Sequence, residues 1–105
     1  MIHVVAIITA KPGQRGALLD QFRNVMPLVH AEPGCIQYEP VIDLPGGLDD
    51  QQPAGPDTFI VVERWESVDA LRTHVGTPHM RAYGAAAAGL IASRVLHVMT
   101  PAVAA

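Results

Sequence analysis

The sequence predicts an α+β domain: one antiparallel sheet of four strands with its helices on a single face. Three observations predict it. Short β-branched runs and amphipathic runs follow one another as strand, helix, strand, and then again as strand, helix, strand. A long stretch rich in Pro, Gly and Asp separates the two halves. The length of 105 residues fits a single domain over residues 1–105 with one small core.

Ile2–Ala10 is β-branched and short and ends at Lys11-Pro12-Gly13, which is strand chemistry followed by a turn. Gln14–His30 reads as a helix, because Leu18, Leu19, Phe22, Val25, Met26 and Val29 recur at helical steps and form one apolar stripe. Pro27 removes a backbone donor inside that pattern and predicts a kink in the last turn. Glu32-Pro33-Gly34 ends the helix. Cys35–Ile42 is a second strand, and Pro40 marks it as an edge strand or a bulged one.

Asp43–Asp57 holds three Pro, three Gly and four Asp, so it is a loop, and its length suggests a lid or a binding segment. Thr58–Trp65 is a third strand, with an apolar run at Phe59–Val62 that fits burial on both faces. Ser67 is an N-cap with Asp69 in the first turn behind it. The short helix it opens breaks at Gly76-Thr77-Pro78. Thr77 caps the next helix, and Pro78 takes its first position, where a missing N–H costs nothing. Ser93–Thr100 is the last strand, Pro101 stops it, and Ala102–Ala105 is a tail. The order forms two split βαβ units, hence a ferredoxin-like βαββαβ sandwich.

Such a sheet has one face without helices. Half of the residues are hydrophobic and 16% are charged, so that bare face is expected to be covered by a second copy, sheet on sheet, as a homodimer. A cavity is then expected between sheet and helices. The net charge is −3 and no run of Lys or Arg exceeds one residue, which argues against nucleic acid as a partner. The apolar run Val4–Ile8 is too short to span a bilayer, and no secretory leader pattern opens the chain, so a cytoplasmic protein is expected. A single Cys35 excludes an intrachain disulfide and suits a reducing compartment.

The chemistry-bearing residues concentrate around the helix break. His74 lies near the apolar face of its helix, and an imidazole there suits a general base or a partner for a substrate hydroxyl. A half-buried His bonded to a backbone carbonyl fits the same pattern. His79, at the start of the next helix, suits either a catalytic role or a bond to the loop. The pair has no third ligand at metal spacing, so no metal site is expected. Trp65, the only Trp, fits either a surface that stacks on a flat ring or the largest core residue at the sheet edge, and it is read as a core wall that the pocket touches. Tyr38 and Tyr83 each carry a hydroxyl on an apolar body. Asn24 fits either a residue pointing inward from the first helix or, preferably, a solvated one, and His97 is a weaker candidate to face the same space. Cys35 reads as a small buried residue, since no base accompanies it. No G-x-G-x-x-G, P-loop or metal spacing occurs, so no cofactor is expected.

Glu-Pro-Gly-Cys-Ile-Gln-Tyr (32–38), Glu-Arg-Trp-Glu-Ser (63–67) and Thr-Pro-His-Met-Arg-Ala-Tyr (77–83) resemble the antibiotic biosynthesis monooxygenase family. The likeness spans residues 2–101 and is nearest its bacterial quinol monooxygenase branch. It implies a dimeric α+β barrel that oxygenates a quinol or related aromatic with O₂, without flavin, haem or metal. An ionised hydroquinone can itself reduce O₂, so the protein's task is to bind it in a dry pocket and take its proton. Antibiotic-tailoring relatives carry an Asn four residues before the Trp, where this chain has Val61. The Asn on the first strand and the helix Trp of haem-degrading relatives are missing too, so haem is not expected.

Two rival readings remain at this level. One is an isomerase or degradative enzyme acting on a small signalling, phosphorylated or carbonyl metabolite. It would call for a basic anion pocket, and Arg15, Arg72, Arg81 and Arg94 are scattered in the sequence. The other is a non-catalytic ligand-binding dimer.

Overall fold

The computed structural model describes residues 1–104. Its elements are β1 (Ile2–Ala10), α1 (Arg15–His30), β2 (Cys35–Val41), β3 (Thr58–Trp65), α2 (Val68–Val75), α3 (Pro78–Ala87) and β4 (Ile91–Met99), with a single 3₁₀ turn at Ala88–Leu90 before β4. The strands form one sheet in the order β2-β3-β1-β4, every pair antiparallel. This is the predicted ferredoxin-like arrangement. Consecutive halves interleave so that β1 and β3 lie at the centre, while β2 and β4 form the edges.

Register separates the two faces. Val4, Ala6 and Ile8 of β1 pair with Glu63, Val61 and Phe59 of β3, and all six side chains are buried beneath the helices. The alternate row on the other face runs Val41, Ile60, Ile7 and Val95 across all four strands. Ile60 and Val62 are therefore only partly buried, because no helix covers their side of the sheet. The pleat alone produces this alternation.

The apolar stripe of α1 packs as expected. Leu18, Phe22, Val25 and Val29 are buried, with Leu19 and Met26 at the margin. Phe22 is the aromatic hub. It stacks on Tyr38 at 5.1 Å between centroids and meets Phe59 and Tyr83 edge-on at 5.6 and 5.9 Å. The helix runs through Pro27 to His30, where the His30 imidazole Nε2 lies 2.9 Å from the Tyr38 carbonyl.

Strand ends differ from the sequence reading for local reasons. β2 stops at Val41, one residue short of Ile42, and its register shift lies between Cys35 and Gln37 rather than at Pro40. Pro40 sits on an edge strand, where its missing donor breaks no ladder. β4 begins at Ile91, earlier than Ser93, because the 3₁₀ turn delivers the chain directly to the end of β1, where Lys11 donates to the Leu90 carbonyl at 2.9 Å. The 43–57 loop has no regular structure. Its base is tied down by the Asp43 carboxylate, which accepts from Ala54 and Gly55 N–H at 2.8 and 2.9 Å. Those two donors hold the Asp43 pKa below its ordinary value.

The turn between α1 and β2 is sterically determined. Gly34 has φ +84°, and its carbonyl accepts from Glu66 N–H at 2.9 Å. A Cβ at this position would lie 2.6 Å from the Ala70 Cβ of α2. Gly34→Ala should therefore destabilise the fold by about 1–3 kcal/mol through backbone strain and the clash. Urea unfolding of the variant beside the wild type measures this, and an unchanged midpoint would contradict the packing described.

Candidate active site

The break that the sequence marks at Gly76-Thr77-Pro78 sets two imidazoles against one carboxylate. Ser67 Oγ accepts from Ala70 N–H at 3.1 Å and starts α2. Gly76 closes α2, and Thr77 Oγ1 then accepts from Met80 N–H at 3.3 Å to start α3. The Thr77 hydroxyl also donates to the His74 carbonyl at 3.0 Å, which locks the two helices at the corner. His74 leaves from the last turn of α2 and His79 from the first turn of α3.

Both imidazoles converge on Glu32, from the turn after α1. Glu32 Oε2 lies 2.9 Å from His74 Nδ1 and 2.8 Å from His79 Nε2. The side chains of Glu32 and His74 are 8% and 4% exposed, against 21% for His79. An ionised carboxylate can only accept, so each imidazole donates from the nitrogen that faces it. His74 is thereby held with its proton on Nδ1, and Nε2 is the nitrogen left to meet a ligand. The ring is further fixed by Trp65, 4.6 Å away between centroids, and by Tyr38 edge-on at 5.3 Å.

His74 forms part of the wall of a cavity of about 500 Å³ between the sheet and α2 and α3. That volume lies within the range of small-molecule sites. The surface is mainly apolar, with Val61, Leu71, Met80, Leu96 and Val98 among its contributors. Its polar side chains are His74, Glu63, Tyr38, Tyr83 and two arginines, Arg72 and Arg94. Glu63 Oε1 accepts from the Trp65 indole N–H at 2.9 Å. Burial raises the Glu63 pKa, against the opposing pull of that hydrogen bond, His74 and Arg94. Burial also raises the Tyr38 and Tyr83 hydroxyls. The Tyr83 hydroxyl is buried and, among the described residues, has no hydrogen-bond partner.

The expected site residues therefore divide. His74, Tyr38 and Tyr83 line the cavity. Trp65 does not: it is 0% exposed and stands behind His74 and Glu63 as their support. His79 lies beyond Glu32, where it lines a separate shallow groove between α1 and α3 together with Asn24. Asn24 is an exposed residue of α1 and does not reach the cavity. His97 pairs with Val5 on the helix-free face, whereas its neighbours Leu96 and Val98 line the cavity, so strand alternation removes it from the site. Cys35 lines a different concavity at the β2 edge, and burial raises its thiol pKa, away from nucleophilic use.

Sequence reading missed Glu32, Glu63 and Arg94. Glu63 had a signal: it is the one charged residue in the buried alternation Phe59, Val61, Glu63, Trp65. Glu32 had none, since Glu-Pro-Gly reads as a helix stop.

Residues 1–86 match the family described as antibiotic biosynthesis monooxygenase. The chain is 40% identical over 103 residues to the "Probable quinol monooxygenase YgiN" of Escherichia coli K12, covering 96% of this chain and 98% of that one. Its fold is similar to that of Rv0793 from Mycobacterium tuberculosis, with a TM-score of 0.79, 26% identity, and 99% and 97% of the two chains covered. PA3566 from Pseudomonas aeruginosa shares the fold at a TM-score of 0.79 and 24% identity, over 97% and 94% of the chains. The Trp-Glu-Ser and Thr-Pro-His segments thus belong to a fold and a sequence relationship that extend over nearly the whole chain, which is a member of the antibiotic biosynthesis monooxygenase family.

Proposed function

We propose that this protein is a cofactor-independent monooxygenase that oxidises a quinol or related aromatic with O₂ in the apolar cavity. The observation that carries this reading is His74: a buried imidazole, oriented by Glu32, at the wall of a cavity sized for a flat ring. Membership of the family and the 40% identity to a relative named as a quinol monooxygenase support it.

The chemistry follows from the arrangement. His74 Nε2 accepts the proton of a substrate hydroxyl, and Glu32 stabilises the imidazolium that forms. The quinol anion gives one electron to O₂. The radical pair, held in an apolar enclosure, recombines to form a C–O bond at a ring carbon. Loss of water then leaves a hydroxyquinone, and the proton on His74 returns to the departing hydroxide. One quinol and one O₂ give one hydroxyquinone and one water. Glu63 keeps its proton to higher pH than an exposed glutamate and in that form can donate to a ring oxygen. His79 acts through Glu32 and does not touch the substrate.

The cavity is open along β4, where Leu96 and Val98 are 44% and 51% exposed although they face the helix side. The opposite face carries the row Val41, Ile60, Ile7 and Val95. We propose a homodimer through these sheet faces, located in the cytoplasm. Among the described residues no helix is long and apolar enough to cross a membrane.

Three outcomes are expected. Purified protein should consume O₂ with a reduced naphthoquinol well above a protein-free control and show no flavin or haem absorbance. His74→Ala should lower that rate by roughly 10²–10⁴-fold with unchanged circular dichroism, and His79→Ala by less. Equal rates in all three proteins would remove the imidazole from the mechanism. The second concerns Glu63. Its raised pKa means that the folded state holds this proton more tightly than the unfolded chain. This contribution to stability is complete below the ordinary glutamate value and is lost as pH rises through the folded value. Denaturant titrations across that window should show Glu63→Gln flattening the decline, and an identical slope would contradict the burial effect. Third, sedimentation should give a dimer for the wild type and a monomer for Ile60→Glu; a wild-type monomer would refute sheet-face assembly.

A further inference from the structure

Of Arg15, Arg72, Arg81 and Arg94, which are scattered in the sequence, two share one cavity in the fold. Arg72 and Arg94, from α2 and β4, both line the cavity that holds His74. Arg72 is engaged by Asp69 in an exposed contact at 3.6 Å. Arg94 pairs across the sheet with Ile8, which places it on the cavity face of β4. Among the described residues it has no ion-pair partner. The acid within the same cavity, Glu63, accepts a hydrogen bond from the Trp65 indole N–H and forms no ion pair with Arg94. The cavity therefore offers a guanidinium that, among the described residues, no carboxylate holds in an ion pair, beside Leu96 and Val98.

A guanidinium presents a rigid fork of N–H donors that matches a carboxylate in two parallel hydrogen bonds. Beside apolar walls its charge is less screened than in open water. A neutral ring alone would leave that donor set unused.

We infer that the substrate class is an acidic aromatic, a hydroquinone or phenol bearing a ring carboxylate, and that Arg94 is the specificity-determining residue that binds the carboxylate. The ring lies along Leu96 and Val98, and the hydroxyl is directed to His74. The hydroxyl contact rests on the monooxygenase reading above, whereas the carboxylate contact stands without turnover.

Binding measured by calorimetry separates the two. Three probes are used: 1-hydroxy-2-naphthoate, 1-naphthol and inorganic phosphate. Wild-type protein should bind the hydroxynaphthoate at least about 10-fold more tightly than naphthol, as expected for a charge-assisted hydrogen-bonded pair. Arg94→Gln should remove that preference and leave naphthol binding unchanged. Arg94→Lys, which keeps the charge but loses the fork, should restore it in part. Arg94 is exposed, so these variants should retain the wild-type circular dichroism. Equal affinities in the wild type, a preference that survives in Arg94→Gln, or phosphate binding as tight as hydroxynaphthoate would each overturn the inference. The last result would indicate an anion site that does not require a ring. Oxygen uptake with a neutral quinol but no carboxylate preference would remove the Arg94 assignment and leave the monooxygenase standing. A carboxylate preference without oxygen uptake would do the reverse.

Discussion

The site depends on a single buried carboxylate. Glu32 is withdrawn from water, and a charge in that position is costly unless it is fully hydrogen-bonded. His74 and His79 supply donors from two different helices, 2.9 and 2.8 Å from the same oxygen. That pairing ties the α1–β2 turn to the corner between α2 and α3. It orients His74 and, with the Thr77 hydroxyl that locks the corner, fixes one wall of the cavity. Gly34 allows the approach, because only a residue without a Cβ fits against Ala70 at that turn. A structural constraint and a chemical one thus share the same few residues.

The second constraint is the uneven cover on the sheet. α1 seals β1, β2 and β3 on one face with Leu18, Phe22, Val25 and Val29. The shorter α2 and α3 leave β4 open on that face. Most of its residues are exposed on both sides, although the strand is paired along its whole length with β1. This gap holds the cavity and brings Arg94, Leu96 and Val98 to its wall. The same strand presents Val95 and Met99 to the opposite face, so one element serves the pocket and the proposed subunit contact at once.

Aromatic residues in this chain mostly position rather than contact. Trp65 fits in sequence either a stacking surface or a core wall; it is buried completely and holds Glu63 and His74 in place. Phe22 plays the same part for Tyr38 and Tyr83. A cavity with so few polar groups requires each of them to be oriented from behind, and flat, stiff side chains do this at low entropic cost.

Local interactions were legible in the sequence, because they act within a few residues. The strand and helix order, the apolar stripe of α1, the Ser67 and Thr77 caps and the break at Gly76–Pro78 all follow from periodicity and backbone chemistry. With these came His74 and His79 as the residues on either side of the break. What only the tertiary structure decided were relations across the chain. Glu32 meets histidines that are 42 and 47 positions away. His97 falls on the wrong face because pairing register, not composition, sets which residues of β4 turn to the cavity. His79 and Asn24 are displaced to an outer groove by the packing of α3 on α1. Arg72 and Arg94 reach one cavity only when the sheet closes on the helices. Propensity is a property of neighbours in sequence, whereas a site is a property of neighbours in space.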